Sequence, residues 1–190
     1  MNIFKSKKLY GILLVLITFF MFFFINSILL FFNDSGKLEK KVATNFKFLQ
    51  KEQKPIVLLY FGYTHCSDVC VMALNRLNKL YPLLEKEKVS IYFINLLDDV
   101  SEKDTEDYVY SFNKNFNPVT LNKKELSLVT SKLKVNFSKS IFNEKEMNHS
   151  SFLYLLVNEK DNYLQKYVYL SSSYELNMIK DDINEILKDY

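Results

Sequence analysis

The sequence predicts an α/β fold with a central mixed sheet, preceded by one transmembrane helix. An uncharged apolar stretch at 9–32 is long enough to cross a bilayer. Strand-like and helix-like segments then alternate from residue 56 to about 135, which is typical of parallel strands joined by crossover helices. Two neighbouring strand-like segments and an amphipathic helix end the chain, so we expect a hairpin to add antiparallel strands to the sheet.

Composition excludes several classes of function. The chain has 190 residues, which suits one domain with an appendage, and a net charge of +3, too small to indicate nucleic-acid binding. Arg76 is the single arginine, so paired arginine clamps for phosphate are excluded. The three glycines (Gly11, Gly36 and Gly62) are too few and too scattered for a phosphate-binding or dinucleotide-binding loop.

The N-terminal stretch predicts a retained membrane anchor. Residues 9–32 carry no charge, and neither the shorter apolar core nor the small-residue cleavage site of a signal peptide is evident. Lys5, Lys7 and Lys8 precede the stretch, which places 1–8 in the cytoplasm. We therefore expect a single-pass protein of the cell inner membrane, with its C-terminal domain in the periplasm or an equivalent extracytoplasmic space.

A polar linker is predicted between the anchor and the folded domain. Residues 33–54 are rich in charge, with at most one short helix, and Pro55 closes them. The folded domain is then predicted over 55–190. It opens with IVLLYF at 56–61, a continuous apolar run of the kind found in strands covered on both faces.

Hydrophobic periodicity predicts the next elements. Apolar residues at helical spacing indicate a helix over 69–86, which Pro82 would kink or shorten. The run VSIYFINLL at 89–97 indicates a strand, and Ser101 with Asp104 resembles a helix N-terminal capping signal. The elements that follow are a helix to about residue 115, a short strand at 119–121 and a helix over 123–135.

The last third of the chain has a different pattern. SFLYLLV at 151–157 and YLQKYVYL at 163–170 are strand-like, and the polar run between them predicts a hairpin of edge strands. An amphipathic helix is expected over 174–187. Together with the preceding alternation, this order of elements is that of a thioredoxin-like sandwich.

Both cysteines of the chain lie where the first buried strand gives way to a helix. Cys66 and Cys70 are separated by three residues in YFGYTHCSDVC. A helix N-terminus stabilises a thiolate, which is both a nucleophile and a metal ligand. The pair could close a disulfide or bind a soft metal ion. The alternative is that both cysteines only pack in the core, or form a structural bridge.

Two cysteines need a further ligand to complete a metal site, and the chain has two histidines. His65 neighbours Cys66, so its side chain is expected to point away from that cysteine. His149 precedes the strand at 151–157 and would face the cysteine loop if that strand lies beside 56–61. Two thiolates and one imidazole suit Cu(I), and Cu(II) with a further oxygen ligand. The alternative is an ordinary solvated loop histidine.

Three segments carry a resemblance to a known family. FGYTHCSDVC at 61–70 resembles the signature of the Sco (SenC/PrrC) copper proteins, whose usual form is FGYTxCPDVCP. DDVSEKDTEDYVYSF at 98–112 looks like the segment that follows the family's second strand, and NHSSFLYLLVNEKDNYL at 148–164 looks like its histidine-containing stretch. The resemblance extends over about 56–188, and Asp68 matches the acidic residue of the signature.

The resemblance implies a fold, a function and a ligand set. It implies a thioredoxin-like domain that binds copper through Cys66, Cys70 and His149. The implied function is that of a membrane-anchored copper metallochaperone that serves cytochrome c oxidase assembly. The implied partners are cytochrome c oxidase subunit II, whose binuclear copper site would receive the metal, or its assembly factors.

This sequence departs from the family pattern near the expected site. Ser67 and Val71 replace two prolines, Asn148 replaces the aspartate before the histidine, and Lys103 replaces an arginine. We expect a looser loop with weaker or faster copper exchange, or divergence toward a role of the thiols alone.

The main alternative is a thiol–disulfide oxidoreductase in which Cys66 and Cys70 are catalytic. The CxxxC spacing disfavours it, because redox motifs of the thioredoxin type are usually CxxC. Thioredoxins also place a cis-proline opposite the cysteines, and no proline follows Pro118 here. A third alternative is a scaffold or sensor that keeps the fold without the chemistry.

Overall fold

The computed structural model describes residues 3–33, 36–140, 146–160, 162–170 and 175–190. The chain divides into two compact units, Met1–Gly36 and Lys37–Tyr190. The first unit is the helix α1 (Ile3–Asn33). Its side chains from Tyr10 to Ser27 are all exposed. By its length and composition, that segment could cross a membrane, and a signal sequence meets the same two criteria. The predicted span 9–32 lies within this helix.

The second unit is built on a six-stranded mixed sheet. Its strand order is β1-β8-β7-β2-β3-β4. β2 is parallel to β3 and antiparallel to β7. The strands of this sheet are β1 (Lys37–Thr44), β2 (Ile56–Gly62), β3 (Val89–Asn95), β4 (Asn117–Val119), β7 (Leu153–Glu159) and β8 (Asn162–Tyr169), and a separate two-stranded sheet contains β5 (Phe137–Lys139) and β6 (Met147–His149).

Helices cover both faces of the large sheet, and each face has its own apolar core. Buried residues of α2 and α5 share one core, and buried residues of α4 belong to the other. The helices are α2 (Val69–Leu80), α3 (Glu102–Tyr110), α4 (Lys123–Leu133) and α5 (Leu176–Ile186), with single 3-10 turns at Lys47–Leu49, Tyr81–Leu83 and Leu187–Asp189. This three-layer arrangement confirms the predicted thioredoxin-like sandwich.

The first core strand is as buried as its sequence predicted. Every residue of β2 is buried, because the strand lies near the centre of the sheet with a core on each face. The following helix is shorter than the predicted 69–86. It ends at Leu80, and the chain continues through a 3-10 turn that contains Pro82, which cannot donate the next helical hydrogen bond.

Two parts of the sheet differ from the expectation. Residues 33–54, predicted as a linker, include β1, which pairs with β8. The predicted edge hairpin of β7 and β8 is internal, because β7 also pairs with β2 and β1 covers β8. The sequence of β1, KLEKKVAT, lacks an apolar run, and lysines are common on exposed edge strands.

The small sheet was not predicted from the sequence. β5 and β6 have three residues each and pair in antiparallel register, with Phe137 opposite His149. A strand of three residues is too short to show the alternation of apolar and polar residues from which strands are predicted. The expected strand at 119–121 is found instead as β4 (Asn117–Val119), which is also three residues long.

Candidate metal centre

The end of β2 brings the chain close to its first helix. A Cβ atom at Gly62 would lie 2.9 Å from the Sγ atom of Cys70 and 2.8 Å from a ring carbon of Phe93. Such distances are shorter than van der Waals contact allows. Glycine at this position therefore lets the Cys70 sulfur pack directly under the end of the strand.

The loop between β2 and α2 folds around Cys66. The Cys66 amide donates to the carbonyl of Tyr63 at 3.1 Å, and the hydroxyl of Tyr108 donates to the Cys66 carbonyl at 3.0 Å. The amide of Cys70 donates to the Cys66 sulfur at 3.3 Å. Asp68, in the N-cap position of α2, makes no side-chain capping bond. The Cys66 sulfur thus accepts an amide of the first helical turn in place of a capping side chain.

The two thiols differ in acidity. A hydrogen bond from the Cys70 thiol lowers the pKa of Cys66, against the effect of burial, and the backbone amides of Cys70 and Asp68 add to the lowering. The same thiol–thiolate hydrogen bond, together with burial, raises the pKa of Cys70. The directions of the two shifts favour ionisation of Cys66 over Cys70 in the metal-free protein.

His149 reaches the cysteines from the end of β6. Its Nε2 atom lies 3.3 Å from the Cys70 sulfur, and its Nδ1 atom lies 3.2 Å from the carbonyl oxygen of Ser150. Because a carbonyl only accepts, the hydrogen of this tautomer is on Nδ1, and the Nε2 lone pair faces the sulfurs. Metal-binding histidines are commonly oriented by such a second hydrogen bond.

The three predicted ligands form one cluster. The two sulfurs and the His149 imidazole nitrogen lie within 4.8 Å of one another, with both cysteines buried and the histidine partly exposed. Both thiols are free. His65 is exposed and contacts Thr64, and it is not part of the cluster, as the sequence predicted. β7 lies beside β2, which is the placement that the prediction for His149 required.

Comparison with known proteins agrees with this arrangement. The SCO1/SenC family model matches residues 42–187. The chain belongs to the SCO1/SenC family. The resemblance read from the cysteine loop and the histidine stretch is thereby confirmed, and the matched segment includes all three residues of the cluster.

Curated relatives include SCO2-like proteins of Rickettsia. The protein RP587 of Rickettsia prowazekii is 32% identical over 124 residues, which is 61% of this chain and 59% of that protein. The SCO2-like protein of Rickettsia felis is 33% identical over the same length and coverage. The match therefore spans about three fifths of the length of each of these SCO2-like relatives.

Solved Sco structures share the fold. Arabidopsis thaliana ScoI with copper bound has a TM-score of 0.64 at 20% identity, over 80% of this chain and 99% of that one. Yeast Sco1 with copper bound has a TM-score of 0.60 at 21% identity, over 80% and 90% of the two chains. Both of these structures have copper bound.

Three further residues lie close to the candidate ligands, and the sequence analysis did not assign any of them to the site. Tyr63 is buried, and its ring contacts the His149 imidazole edge to face, with the ring centroids 5.7 Å apart. The Tyr108 hydroxyl donates a hydrogen bond to the Cys66 carbonyl, and the missing side chain of Gly62 leaves room for the Cys70 sulfur. Gly62 and Tyr63 lie inside the cysteine motif, and this position in the sequence could have indicated that they belong to the site. Nothing in the sequence indicated Tyr108, because its contact with Cys66 depends on how α3 packs.

The positions that depart from the family pattern lie outside the cluster. Ser67 and Asn148 are exposed, and Val71 is half-buried in the first turn of α2. Lys103 is exposed and pairs with Asp107 at 2.6 Å. None of these four side chains belongs to the group of ligand atoms.

Proposed function

We propose that this SCO1/SenC protein is a membrane-anchored copper metallochaperone that carries one copper ion as cargo on Cys66, Cys70 and His149. The observation that carries the proposal is the convergence of two sulfurs and one imidazole nitrogen within 4.8 Å. Two soft sulfur donors and an imidazole in a trigonal set suit Cu(I). Copper is also the metal named in the descriptions of Sco structures that share this fold.

The acid–base state of the cluster suits reversible loading. Cys66 already carries the negative charge that a metal ligand needs, because its pKa is lowered by the hydrogen bond from Cys70. Cys70 would give up its proton as copper binds and recover it when copper leaves, so loading would release about one proton for each Cu(I). Acid conditions would therefore weaken binding.

Delivery would proceed by stepwise ligand exchange. His149 is the partly exposed member of the cluster, whereas both cysteines are buried. An acceptor thiolate approaching from solvent would replace the imidazole first, and Cys66 and Cys70 would then be displaced in turn. The acceptor we propose is cytochrome c oxidase subunit II, directly or through its assembly factors, in line with the family resemblance.

The anchor and the topology belong to the same proposal. We infer that 9–32 spans the cell inner membrane, that 1–8 is cytoplasmic and that the domain from residue 55 onward lies in the periplasm or an equivalent space. Support comes from the length and composition of the apolar helix and from the lysines that precede it. In that compartment, the copper site would lie on the side of the membrane where subunit II would receive copper.

Copper titration of the reduced protein tests the ligand set. We expect one Cu(I) per chain, a loss of affinity of roughly tenfold or more in His149→Ala, and a larger loss in Cys66→Ser and Cys70→Ser. His65→Ala is the matched control and should leave affinity unchanged, because His65 is exposed and outside the cluster. Unchanged affinity and spectrum in His149→Ala would reject the three-ligand site.

One observation favours a second function, that of a thiol–disulfide oxidoreductase. A thiolate at Cys66 next to a protonated thiol at Cys70 is the state that a nucleophilic and resolving cysteine pair requires. Catalytic turnover on a model protein disulfide, abolished in Cys66→Ser, would support this function. Absence of turnover, with a strongly reducing disulfide potential, would leave copper transfer as the function.

A further inference from the structure

Three hydrogen bonds fix the backbone and the sulfur of Cys66. Its amide donates to the Tyr63 carbonyl at 3.1 Å, and its sulfur accepts the Cys70 amide at 3.3 Å. Its carbonyl accepts the Tyr108 hydroxyl at 3.0 Å. The first two partners lie in the same stretch of chain as Cys66, so they would move together with the loop. Tyr108 lies 42 positions away, on α3, and therefore ties the loop to a different element.

Aromatic packing holds the Tyr108 side chain in place. Its ring centroid lies 5.7 Å from that of Phe93 on β3 and 5.4 Å from that of Phe112. All three rings belong to, or pack against, the apolar core that contains both cysteines. Tilted and edge-to-face contacts of this kind restrict the orientation of each ring. Because a tyrosine has few side-chain torsions, fixing its ring also fixes the position of its hydroxyl.

The helix that carries Tyr108 is fastened to the sheet about one turn earlier, at Thr105. The buried Thr105 hydroxyl accepts hydrogen bonds from the Asn95 side-chain amide at 2.9 Å and from the Thr120 hydroxyl at 2.8 Å. It donates its own hydrogen to the Ser101 carbonyl at 3.4 Å. Asn95 is the last residue of β3, and Thr120 directly follows β4. Since residues three positions apart lie on the same side of a helix, this fastening also sets the position of Tyr108.

Asn95 connects this fastening to the strand that leads into the cysteine loop. It is fully buried, and it lies opposite Gly62 in the last pair of β2 and β3. Its side-chain oxygen accepts the Leu97 amide at 3.1 Å, and the Leu96 amide donates to the Gly62 carbonyl at 2.8 Å. The ends of β2 and β3 are thus fixed to each other. The cysteine loop and α3 therefore both begin from the same pair of strand ends.

We propose that Tyr108 is a positioning residue of the metal centre: it ties the Cys66 carbonyl to α3, which is itself fastened to β3 and β4 through Thr105. Without the Tyr108 hydroxyl, the segment around Cys66 would keep only hydrogen bonds that move with it. The Cys66 sulfur would then leave ligand distance from Cys70 and His149 more often. The effect of Tyr108 on copper rests on the proposed function, whereas its effect on the loop does not.

Amide hydrogen exchange of the metal-free, reduced chain tests the effect on the loop directly. Tyr108→Phe keeps the ring and removes the hydroxyl. We expect exchange at the Cys66 and Cys70 amides to become roughly five- to tenfold faster, the effect of one lost hydrogen bond on opening of the loop. The Leu96 amide is the internal reference. It is bonded to the Gly62 carbonyl at the strand ends and should exchange at the wild-type rate.

Two further variants and their controls complete this test. Tyr163→Phe is the matched control for Tyr108→Phe, because it removes a hydroxyl that donates to another backbone carbonyl, that of Lys54, at 2.7 Å. It should leave exchange in the cysteine loop unchanged. Thr105→Val breaks the fastening of α3 and should speed exchange at the same two cysteine amides. Its control is Thr130→Val, which removes a buried threonine hydroxyl from α4 and should leave the loop unchanged.

Copper measurements on the tyrosine variants test the consequence for the site. In Tyr108→Phe we expect release of Cu(I) to a chelator to be roughly tenfold faster or more, and the Cu(II)–thiolate absorption band to shift, as for other residues that orient metal ligands. Tyr163→Phe should match the wild type in both readouts. A general loss of stability would not shift the band while the Leu96 amide remains protected.

The outcomes separate the positioning role from the proposed function. Unchanged exchange at Cys66 and Cys70 in Tyr108→Phe overturns the positioning role. Unprotected amides at these residues in the wild type overturn it as well, a result that is decisive even if the variant does not fold. Unchanged exchange in Thr105→Val overturns the part assigned to α3. An unchanged band and release rate in folded Tyr108→Phe overturn the role in copper retention. Faster exchange in a chain that binds no copper would support the tie and reject the proposed function.

Discussion

Single residues set the chemical state of the centre. Cys66 and Cys70 are four positions apart, yet the pKa of the first is lowered and that of the second is raised. The difference arises because the Cys70 thiol donates to the Cys66 sulfur, which also accepts backbone amides at the start of α2. A helix N-terminus is an environment that stabilises such an anion.

The first prediction concerns this thiolate. Because the pKa of Cys66 is lowered, its thiolate should be present at neutral pH and should be lost only as the pH falls through that lowered value. Thiolate absorbance near 240 nm of the reduced, metal-free chain should therefore correspond to about one thiolate at pH 7. The signal should disappear in Cys66→Ser. Absorbance that rises only above about pH 8, as for ordinary thiols, would show that the pair is not polarised.

The second prediction concerns the close contact at Gly62. Gly62→Ala would bring a methyl group within 2.9 Å of the Cys70 sulfur, so either the helix or the strand must shift. We expect a loss of unfolding free energy of about 1–3 kcal/mol, typical of overpacking, and weaker Cu(I) binding. Urea denaturation and copper competition measure the two effects.

The control for this substitution is Gly11→Ala in the same full chain. Among the described residues, and apart from the neighbouring residues and backbone of its own helix, no atom lies within 4 Å of a Cβ placed at Gly11, so neither stability nor copper affinity should change. Wild-type copper affinity in Gly62→Ala would mean that copper binding does not depend on the packing of the Cys70 sulfur against the end of β2.

At this scale the sequence predicted which three candidate ligands come together, but not their surroundings. Cys66 and Cys70 form a local pattern, and His149 was predicted from the strand that follows it and from the family resemblance. Tyr63 and Tyr108 act through contacts that span up to 86 positions of the chain, from Tyr63 to His149. No local rule of spacing or propensity reports such a contact.

Secondary-structure elements position the centre. β2 and α2 carry the cysteines, and β6 carries the histidine next to them. α5 and β1 serve the rest of the domain. Asp182 on α5 is buried and accepts hydrogen bonds from Lys37 of β1 at 2.7 Å and from the Tyr169 hydroxyl at 2.8 Å. This group of three side chains fastens the edge strand to the closing helix.

The third prediction tests that fastening. Asp182→Ala removes the carboxylate that accepts a hydrogen bond from the buried Tyr169 hydroxyl and pairs with Lys37. We expect a loss of about 1–3 kcal/mol of unfolding free energy, typical of the loss of a hydrogen bond to a charged, buried group. The measurement is urea denaturation monitored by circular dichroism.

The matched control is Asp107→Ala. Asp107 pairs with Lys103 at 2.6 Å, but both side chains are mainly exposed, so the pair should contribute much less to stability than the buried group does. Equal losses in the two variants would contradict the role assigned to the buried group. Copper affinity should be similar in both.

The elements were predictable where they carry long apolar patterns. β2 and α5 were predicted from such patterns, within a few residues of their ends. β1 was not, because it is an edge strand with alternating charge whose stability depends on pairing with β8. β5 and β6 were not, because each has only three residues.

At the scale of the whole molecule, the chain combines an apolar helix with a separately cored α/β unit. The second unit, Lys37–Tyr190, has its sheet, both apolar cores and the candidate metal cluster within its own residues. The proposed division of labour follows: α1 holds the protein at the membrane and the remainder carries the metal.

The fourth prediction separates these roles. A chain that begins at Lys37 should be soluble, cooperatively folded and able to bind one Cu(I) with wild-type affinity, because the contacts of the site lie within the second unit. The full chain should fractionate with membranes and resist alkaline carbonate extraction. A full chain found in the soluble fraction with an intact N-terminus would contradict the anchor.

The central claim is that copper is held jointly by the cysteine pair and His149. X-ray absorption spectroscopy at the copper edge, on the Cu(I)-loaded chain, tests it most directly. The fifth prediction is a first shell of two sulfur atoms and one imidazole nitrogen in the wild type, reduced to two sulfurs in His149→Ala. Identical spectra for the two proteins, or a shell without nitrogen in the wild type, would contradict the claim.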